Sequence, residues 1–174
     1  METRRCKLVD NDADFQACVD IRLKVFVEEQ AVPEDMELDE FETVSKHFLV
    51  TLNGKGITTG RLRPYGSFVK FERIATLLEE RGKGTGRVLM ECMMDYAERH
   101  YPNHLPMMHA QISALGFYEK LGWMPVGDEF DEAGITHLVM IHVPESEARI
   151  QNLLIWKGTD ADPEIVEALK QRRP

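Results

Sequence analysis

The sequence predicts an α+β fold in α/β/α layers, and three observations predict it. Two stretches read as β-hairpins: residues 43–52 and 57–64 across Asn53-Gly54-Lys55-Gly56, and residues 123–130 and 135–143 across Asp131-Glu132-Ala133-Gly134. Between them, an apolar β-branched run (69–76) passes through the turn Arg81-Gly82-Lys83-Gly84-Thr85-Gly86 into a helix. There Val88, Leu89, Cys92, Met93, Tyr96 and Ala97 share one face at 3.6-residue spacing, while Arg87, Glu91, Asp95 and Glu98 take the other. The chain has 174 residues, 43% hydrophobic and 29% charged, which suits one soluble domain with a real core.

In chain order, residues 4–9 make a first strand. Asp10-Asn11-Asp12 offers N-caps to a helix carrying Phe15, Val19, Leu23 and Phe26 on one stripe, with Cys18, Arg22 and Val25 beside it. Pro33 can open a further helical turn. After the first hairpin, Pro64-Tyr65-Gly66-Ser67 turns the chain into the central strand 68–76. Tyr101-Pro102 ends the long helix, residues 105–111 form a strand, and Ser113 caps a helix that stops at Gly122. The order is βα(α)βββαβαββ. The tail, 144–174, reads as a helical extension with an apolar stripe (Ile150, Leu153, Leu154, Trp156), packed on the domain or at a homodimer contact.

Three alternating glycines ahead of a helix N-terminus leave several N–H groups pointing one way, and the helix dipole adds positive potential. The loop therefore reads as a pyrophosphate cradle. A Walker A loop needs a Lys-Ser/Thr pair after its glycines, and none follows. A dinucleotide fingerprint needs G-x-G-x-x-G and an acidic residue at the end of the next strand, where this chain has Gln111. The alternative is a turn whose glycines only let strand and helix pack closely.

Arg81-x-x-Gly84-x-Gly86 resembles the acetyl-CoA signature of the GNAT superfamily of N-acetyltransferases, Q/R-x-x-G-x-G/A. Downstream, Gln111-x-x-Ala114-x-x-Phe117-Tyr118-Glu119-Lys120-Leu121-Gly122-Trp123 resembles the family's second block, and the two lie in the family's order. Arg22-x-x-x-Phe26-Val27-x-Glu29-Gln30, an acidic run and then His47 resemble the ElaA-like branch. The resemblance covers residues 4–143 and implies a GNAT domain over 1–143. Its sheet would be mixed and mostly antiparallel, with a parallel splay between strands four and five.

The chemistry the resemblance implies is acetyl transfer from acetyl-CoA to a primary amine of a small molecule, by direct attack on the thioester. No covalent acyl-enzyme is needed, so the lack of a Cys–His pair is no objection. The fourth strand would bind the pantetheine arm through the backbone of Ile74, Ala75 and Thr76, with one N–H facing the thioester oxygen. Arg81, Gly82, Lys83, Gly84, Thr85 and Gly86 would hold the pyrophosphate, and Gln111 and Phe117 would also line the cofactor. Tyr118 would protonate the leaving thiolate. Glu72, two positions before Ile74, is the candidate general base, with an ordinary strand residue as the equal alternative. Arg22, Phe26, Glu29, Gln30, His47 and His137 would border the acceptor. The other function class is a non-catalytic acyl-CoA-binding or regulatory module, which has no need of a phenol beside the thiol.

The rest bounds the answer. A net charge of −9 argues against nucleic-acid or anionic-membrane partners. No apolar run has the length of a membrane span, and the N-terminus lacks an apolar h-region, so a cytoplasmic enzyme is expected. Cys6, Cys18 and Cys92 show no metal or C-x-x-C spacing and read as reduced thiols. His100, His104, His109, His137 and His142 complete no structural-zinc set, so no metal is expected. Arg61, Arg63 and Arg73 alternate along strands as solvated or ion-paired side chains. The segment 28–42 carries eight carboxylates and no Lys or Arg, and is either a solvated loop or a rim that steers a cationic amine inward.

Overall fold

A computed structural model describes residues 2–145 and Ala148, so the expectations for the tail's apolar stripe lie outside the described residues. Seven strands form one sheet in the order β1-β2-β3-β4-β5-β7-β6. They are β1 (Arg4–Leu8), β2 (Lys46–Leu52), β3 (Lys55–Tyr65), β4 (Phe68–Thr76), β5 (Leu105–Gln111), β6 (Trp123–Glu132) and β7 (Ile135–His142). The helices are α1 (Asp12–Arg22), α2 (Glu34–Glu37), α3 (Thr85–His100) and α4 (Leu115–Glu119). The β1–β2, β2–β3, β5–β7 and β6–β7 pairs are antiparallel and the β4–β5 pair is parallel, as the resemblance implied.

The chain gathers into two compact units. Among the described residues, one holds the chain up to Arg63 together with Phe71–Tyr96, and the other holds Pro64–Lys70 and the chain from Ala97 onward.

In the first unit, Asn53 and Gly54 both take positive φ (50° and 86°), and Leu52 pairs with Lys55. That is the two-residue turn whose twist suits a hairpin. The Asn11 side chain caps α1 by accepting from the Asp14 N–H at 2.9 Å. Cys18, Val19, Ile21 and Arg22 form the buried face of α1, and Leu89, Met90 and Met93 that of α3 within this unit. Gly60 is a packing glycine, because a Cβ there would sit 2.5 Å from the Met93 sulfur. Beyond Arg22 the helix widens into a π-helix, Leu23–Glu29, which the apolar periodicity did not distinguish from α. Cys6 on β1 and Cys92 on α3 form a disulfide and Cys18 is the buried free thiol, so the expectation of three reduced thiols is corrected. The pair lies 86 positions apart in sequence, and only the fold brings it together.

In the second unit, the parallel pairing runs over Phe68–Leu105, Val69–Pro106 and Lys70–Met107, and β5 continues to Gln111 with β7 along its other edge. Leu105, Met107, Val126 and Ile141 make its core, with Phe68, Met124, Val139 and Val143 packed against them. Two expectations are corrected here. Ser113 lies inside a 3-10 turn (Ile112–Ala114) and caps nothing, since α4 starts after Ala114 with no side-chain cap. The last hairpin turns at Ala133 and Gly134 alone (φ 53° and 77°), and Glu132 is a strand residue opposite Ile135.

Candidate active site

The glycine loop lies in the first unit. After β4 a 3-10 turn (Leu78–Glu80) leads to Arg81, and α3 begins at Thr85. Gly82 and Gly84 take φ of 72° and 80°, a region glycine enters freely and other residues at a cost. A Cβ at either would meet nothing within 4 Å. The packing alternative therefore fails at these two positions: the loop is open, with the first N–H groups of a 16-residue helix at its end. Arg4 lies beside it, donating from Nε to Thr85 Oγ1 at 3.1 Å and pairing with Glu80 at 3.7 Å. Lys83 pairs with Glu80 at 3.7 Å. The Arg81 side chain reaches back instead, donating to the Thr76 carbonyl at 2.9 Å and to Glu29 at 2.9 and 3.0 Å. Thr76 also accepts at Oγ1 from Thr58, at 3.1 Å. Ile74 is half-buried and Ala75 buried.

Two of the six expected acceptor residues, Arg22 and His47, join Glu72 in one largely buried charge network. Arg22, with 1% of its side chain exposed, holds Glu37 at 2.7 Å and Glu42 at 2.7 and 2.9 Å. Arg61, equally buried, holds Asp39 at 2.7 Å, Glu42 at 2.8 Å and Glu72 at 2.7 Å. Burial pushes Asp39 up, but hydrogen bonds from Arg61 and the Phe41 N–H outweigh it and bring its carboxyl down to about 2. His47 is buried, shares an edge contact with Phe15 and bonds the Glu42 carbonyl at 2.8 Å. Burial lowers its pKa and favours the neutral ring. Phe26 and Gln30 are half-buried, Phe26 within the π-helix and Gln30 just after it.

Two sequence inferences change here. Glu72 Oε1 takes the Nε and Nη2 donors of Arg61 and the Nε of Arg63, so two guanidiniums share this carboxylate on β4. Strand alternation does not carry from Glu72 to Ile74, because Arg73 between them takes φ 54° and breaks the two-residue period. Arg73 is fixed there by the Met36 and Glu37 carbonyls at 3.3 Å and by Asp39 at 3.1 Å. The acidic segment is no uniform rim. Glu29, Glu37, Asp39 and Glu42 are ion-paired to arginines, while Glu28, Glu34, Asp35 and Glu40 are exposed.

In the second unit, Tyr118 is buried on α4, with the half-exposed Phe117 ring edge-on at 5.1 Å. Burial alone pushes the Tyr118 hydroxyl well above its ordinary value, so it is protonated at any physiological pH. Gln111 ends β5. His137 is buried, donates from Nδ1 to the Ile135 carbonyl at 2.7 Å and stacks on Phe130. His109 and Glu132, which the sequence reading did not select, meet here at 3.0 Å. Only the β5–β7–β6 register brings them together, and no spacing in the sequence reports it. Among the described residues no group of three His, Cys, Asp or Glu side chains is arranged to hold a metal ion, and no helix is long and apolar enough to cross a membrane.

The mixed sheet with its parallel pair, and its likeness to a solved acyl-CoA N-acyltransferase, give the class of protein: an acyltransferase. Residues 10–143 match the acetyltransferase (GNAT) domain, and the chain belongs to that family. It is 37% identical over 141 residues to the uncharacterized protein YyaT of Bacillus subtilis, covering 77% of this chain and 92% of YyaT. Protein ElaA of Escherichia coli is 27% identical over 132 residues, covering 74% of this chain and 86% of ElaA, and its crystal structure superposes with a TM-score of 0.72 at 23% identity over 82% of this chain and 99% of ElaA. An acyl-CoA N-acyltransferase from Pseudomonas aeruginosa gives a TM-score of 0.72 at 26% identity, over 82% of this chain and all of that one. The ElaA-like pattern in the N-terminal segment agrees with these likenesses.

Proposed function

We propose that the chain transfers the acetyl group of acetyl-CoA to a primary amine of a small molecule, without a covalent acyl-enzyme. One observation carries the reading: Gly82 and Gly84 hold left-handed backbone beside open space at the N-terminus of α3. An anion can approach that backbone as closely as its own radius allows, and the helix N-terminus favours negative charge. The pyrophosphate binds through N–H groups of residues 81–86, with Lys83 and Arg4 adding positive charge. The backbone of Ile74, Ala75 and Thr76 holds the pantetheine arm, and Gln111 and Phe117 line it.

The neutral amine nitrogen attacks the thioester carbon, its excess proton leaves to solvent, and the C–S bond breaks with its electron pair left on sulfur. Tyr118, kept protonated by burial, donates a hydrogen bond and then its proton to that sulfur, and solvent returns one proton to Tyr118. Phe26, Gln30 and His137 border the acceptor, while Arg22, Glu29 and His47 shape that side through the bonds they make. The reaction belongs in the cytoplasm, where acetyl-CoA is supplied.

The test is a panel of primary amines with purified protein and acetyl-CoA, reading free thiol and acetylated product. Tyr118→Phe should lower kcat by on the order of 10²–10⁴ with acetyl-CoA affinity unchanged. Normal turnover in that variant would reduce Tyr118 to packing. Binding of acetyl-CoA with no amine acetylated would favour the non-catalytic module.

A further inference from the structure

The Cys6–Cys92 disulfide and the glycine loop belong to the same unit, and one strand connects them. β1 is an edge strand of the sheet, bonded to β2 from the Arg4–Leu52 pair to the Leu8–Phe48 pair. Arg4 and Cys6, two positions apart, share its less exposed face, while Arg5 and Lys7 are exposed. Both side chains end on α3. Cys6 is bonded to Cys92, two turns into the helix, and Arg4 Nε donates to the hydroxyl of Thr85, its first residue, at 3.1 Å. The two attachments lie about 10 Å apart along the helix axis, so together they fix β1 over the first turns of α3.

Arg4 is the cation that this strand brings to the cradle. Its Nη2 stands 3.7 Å from Glu80 Oε2, an ion pair beyond hydrogen-bond reach, and that buried oxygen takes no hydrogen bond from the described residues. Lys83 shares the same carboxylate at 3.7 Å. The guanidinium is thus loosely balanced, and its place depends on where β1 lies. Cys6 and Cys92 are both half-buried, so a dithiol can reach the bond between them. Cys18 does not compete, because it is fully buried and burial pushes its thiol up, away from the reactive thiolate. In the cytoplasm proposed above, where thiols are kept reduced, a disulfide is usually a transient or redox-sensing one.

We propose that Cys6 and Cys92 are a reversible dithiol–disulfide site that sets acetyl-CoA affinity by holding Arg4 at the cradle, a role that rests on the pyrophosphate reading above. Reduction runs by exchange with a dithiol. One of its thiolates attacks a sulfur of the pair, the other sulfur leaves as a thiolate, and the second thiol of the reagent resolves the mixed disulfide. One S–S bond replaces another, two electrons pass from the dithiol to the pair, and the two thiol hydrogens end on Cys6 and Cys92. Without the tether, β1 keeps its pairs to β2 and the Lys7–Asp14 ion pair at 2.7 Å, neither of which reaches α3. The Arg4–Thr85 bond must then hold the strand on the helix without it, and Arg4 spends less time beside the loop. Cys6 and Cys92 are positioning residues in this scheme.

The experiment is calorimetric titration of acetyl-CoA into the whole chain in two states. One is oxidised with a cyclic disulfide; the other is reduced with dithiothreitol and desalted under argon. Thiol counting in denaturant should give one thiol, Cys18, in the oxidised chain and three in the reduced chain. Circular dichroism should show both states folded. Reduction should weaken binding by roughly fivefold, the size of one partly exposed charge contact. Cys6→Ser should bind like the reduced chain under either treatment. Arg4→Gln should be equally weak in both states, because the cation that the tether holds is gone. Three thiols after oxidation, one after dithiothreitol, equal affinity in the two wild-type states, a redox effect that persists in Arg4→Gln, or an unfolded reduced chain would each overturn the proposal. Acetyl-CoA bound by neither state overturns the pyrophosphate reading, and the proposal falls with it.

Discussion

The glycine loop 81–86 and the acidic segment 28–42 are two short stretches of extreme composition in the same unit, and they turn out to be opposites. The loop's extremity is in its backbone: two left-handed glycines face open space, and among the described residues nothing lies within 4 Å of where a Cβ would sit. The segment's extremity is in its side chains, and half of its carboxylates are consumed by Arg22, Arg61, Arg73 and Arg81. A backbone demand is local, so a motif can announce it. A charge run announces nothing until its partners are known, and here those partners arrive from α1, β3, β4 and the loop itself.

The largest effect that can break this contrast lies at Arg22. If it is a structural cation, Arg22→Ala leaves Glu37 to Arg73 alone and Glu42 to Arg61 alone, and should cost about 3 kcal/mol in urea unfolding, the low end for breaking a buried pair. A variant of unchanged stability but raised KM for the amine would return Arg22 to the acceptor site.

Asp39 should show a smaller effect with a defined pH dependence. Its folded pKa of about 2 lies below the ordinary 3.8, so its contribution is present above pH 3.8 and is lost as pH falls through about 2. The size should be about 1 kcal/mol, because a quarter of the side chain is exposed and solvent screens the pair. Asp39→Asn should lose stability less steeply than wild type between pH 4 and 2 in acid denaturation. Parallel curves would remove Asp39 from the network.

The smallest effect belongs to the exposed carboxylates. Neutralising Glu34, Asp35 and Glu40 together should change kcat/KM for a cationic amine by less than about threefold at low ionic strength. A larger, salt-sensitive fall would restore the steering role.

Much of the fold was legible because its signals are local. The alternating strands, the Asn53-Gly54 turn, the Asn11 cap and the stripe on α3 each follow from residues within one or two turns of one another. What was not legible depends on register. Cys6 meets Cys92 only through the fold, and His109 meets Glu132 only because β7 lies between their strands. Period two does not run from Glu72 to Ile74, because Arg73 between them takes a left-handed backbone that no propensity foretold. The π-helix at Leu23–Glu29 was hidden for a similar reason, since its apolar spacing departs from the α period by less than a short sequence can resolve.

The central claim is that the open backbone at Gly82 and Gly84 receives the pyrophosphate, and calorimetric titration of acetyl-CoA tests it most directly. Gly84→Asn and Gly84→Asp impose similar left-handed strain, about 1 kcal/mol, but only Asp adds negative charge facing the phosphates. Wild type should bind, Gly84→Asn should bind more weakly, and a folded Gly84→Asp should show no binding. Equal affinity in wild type and a folded Gly84→Asp would contradict the account.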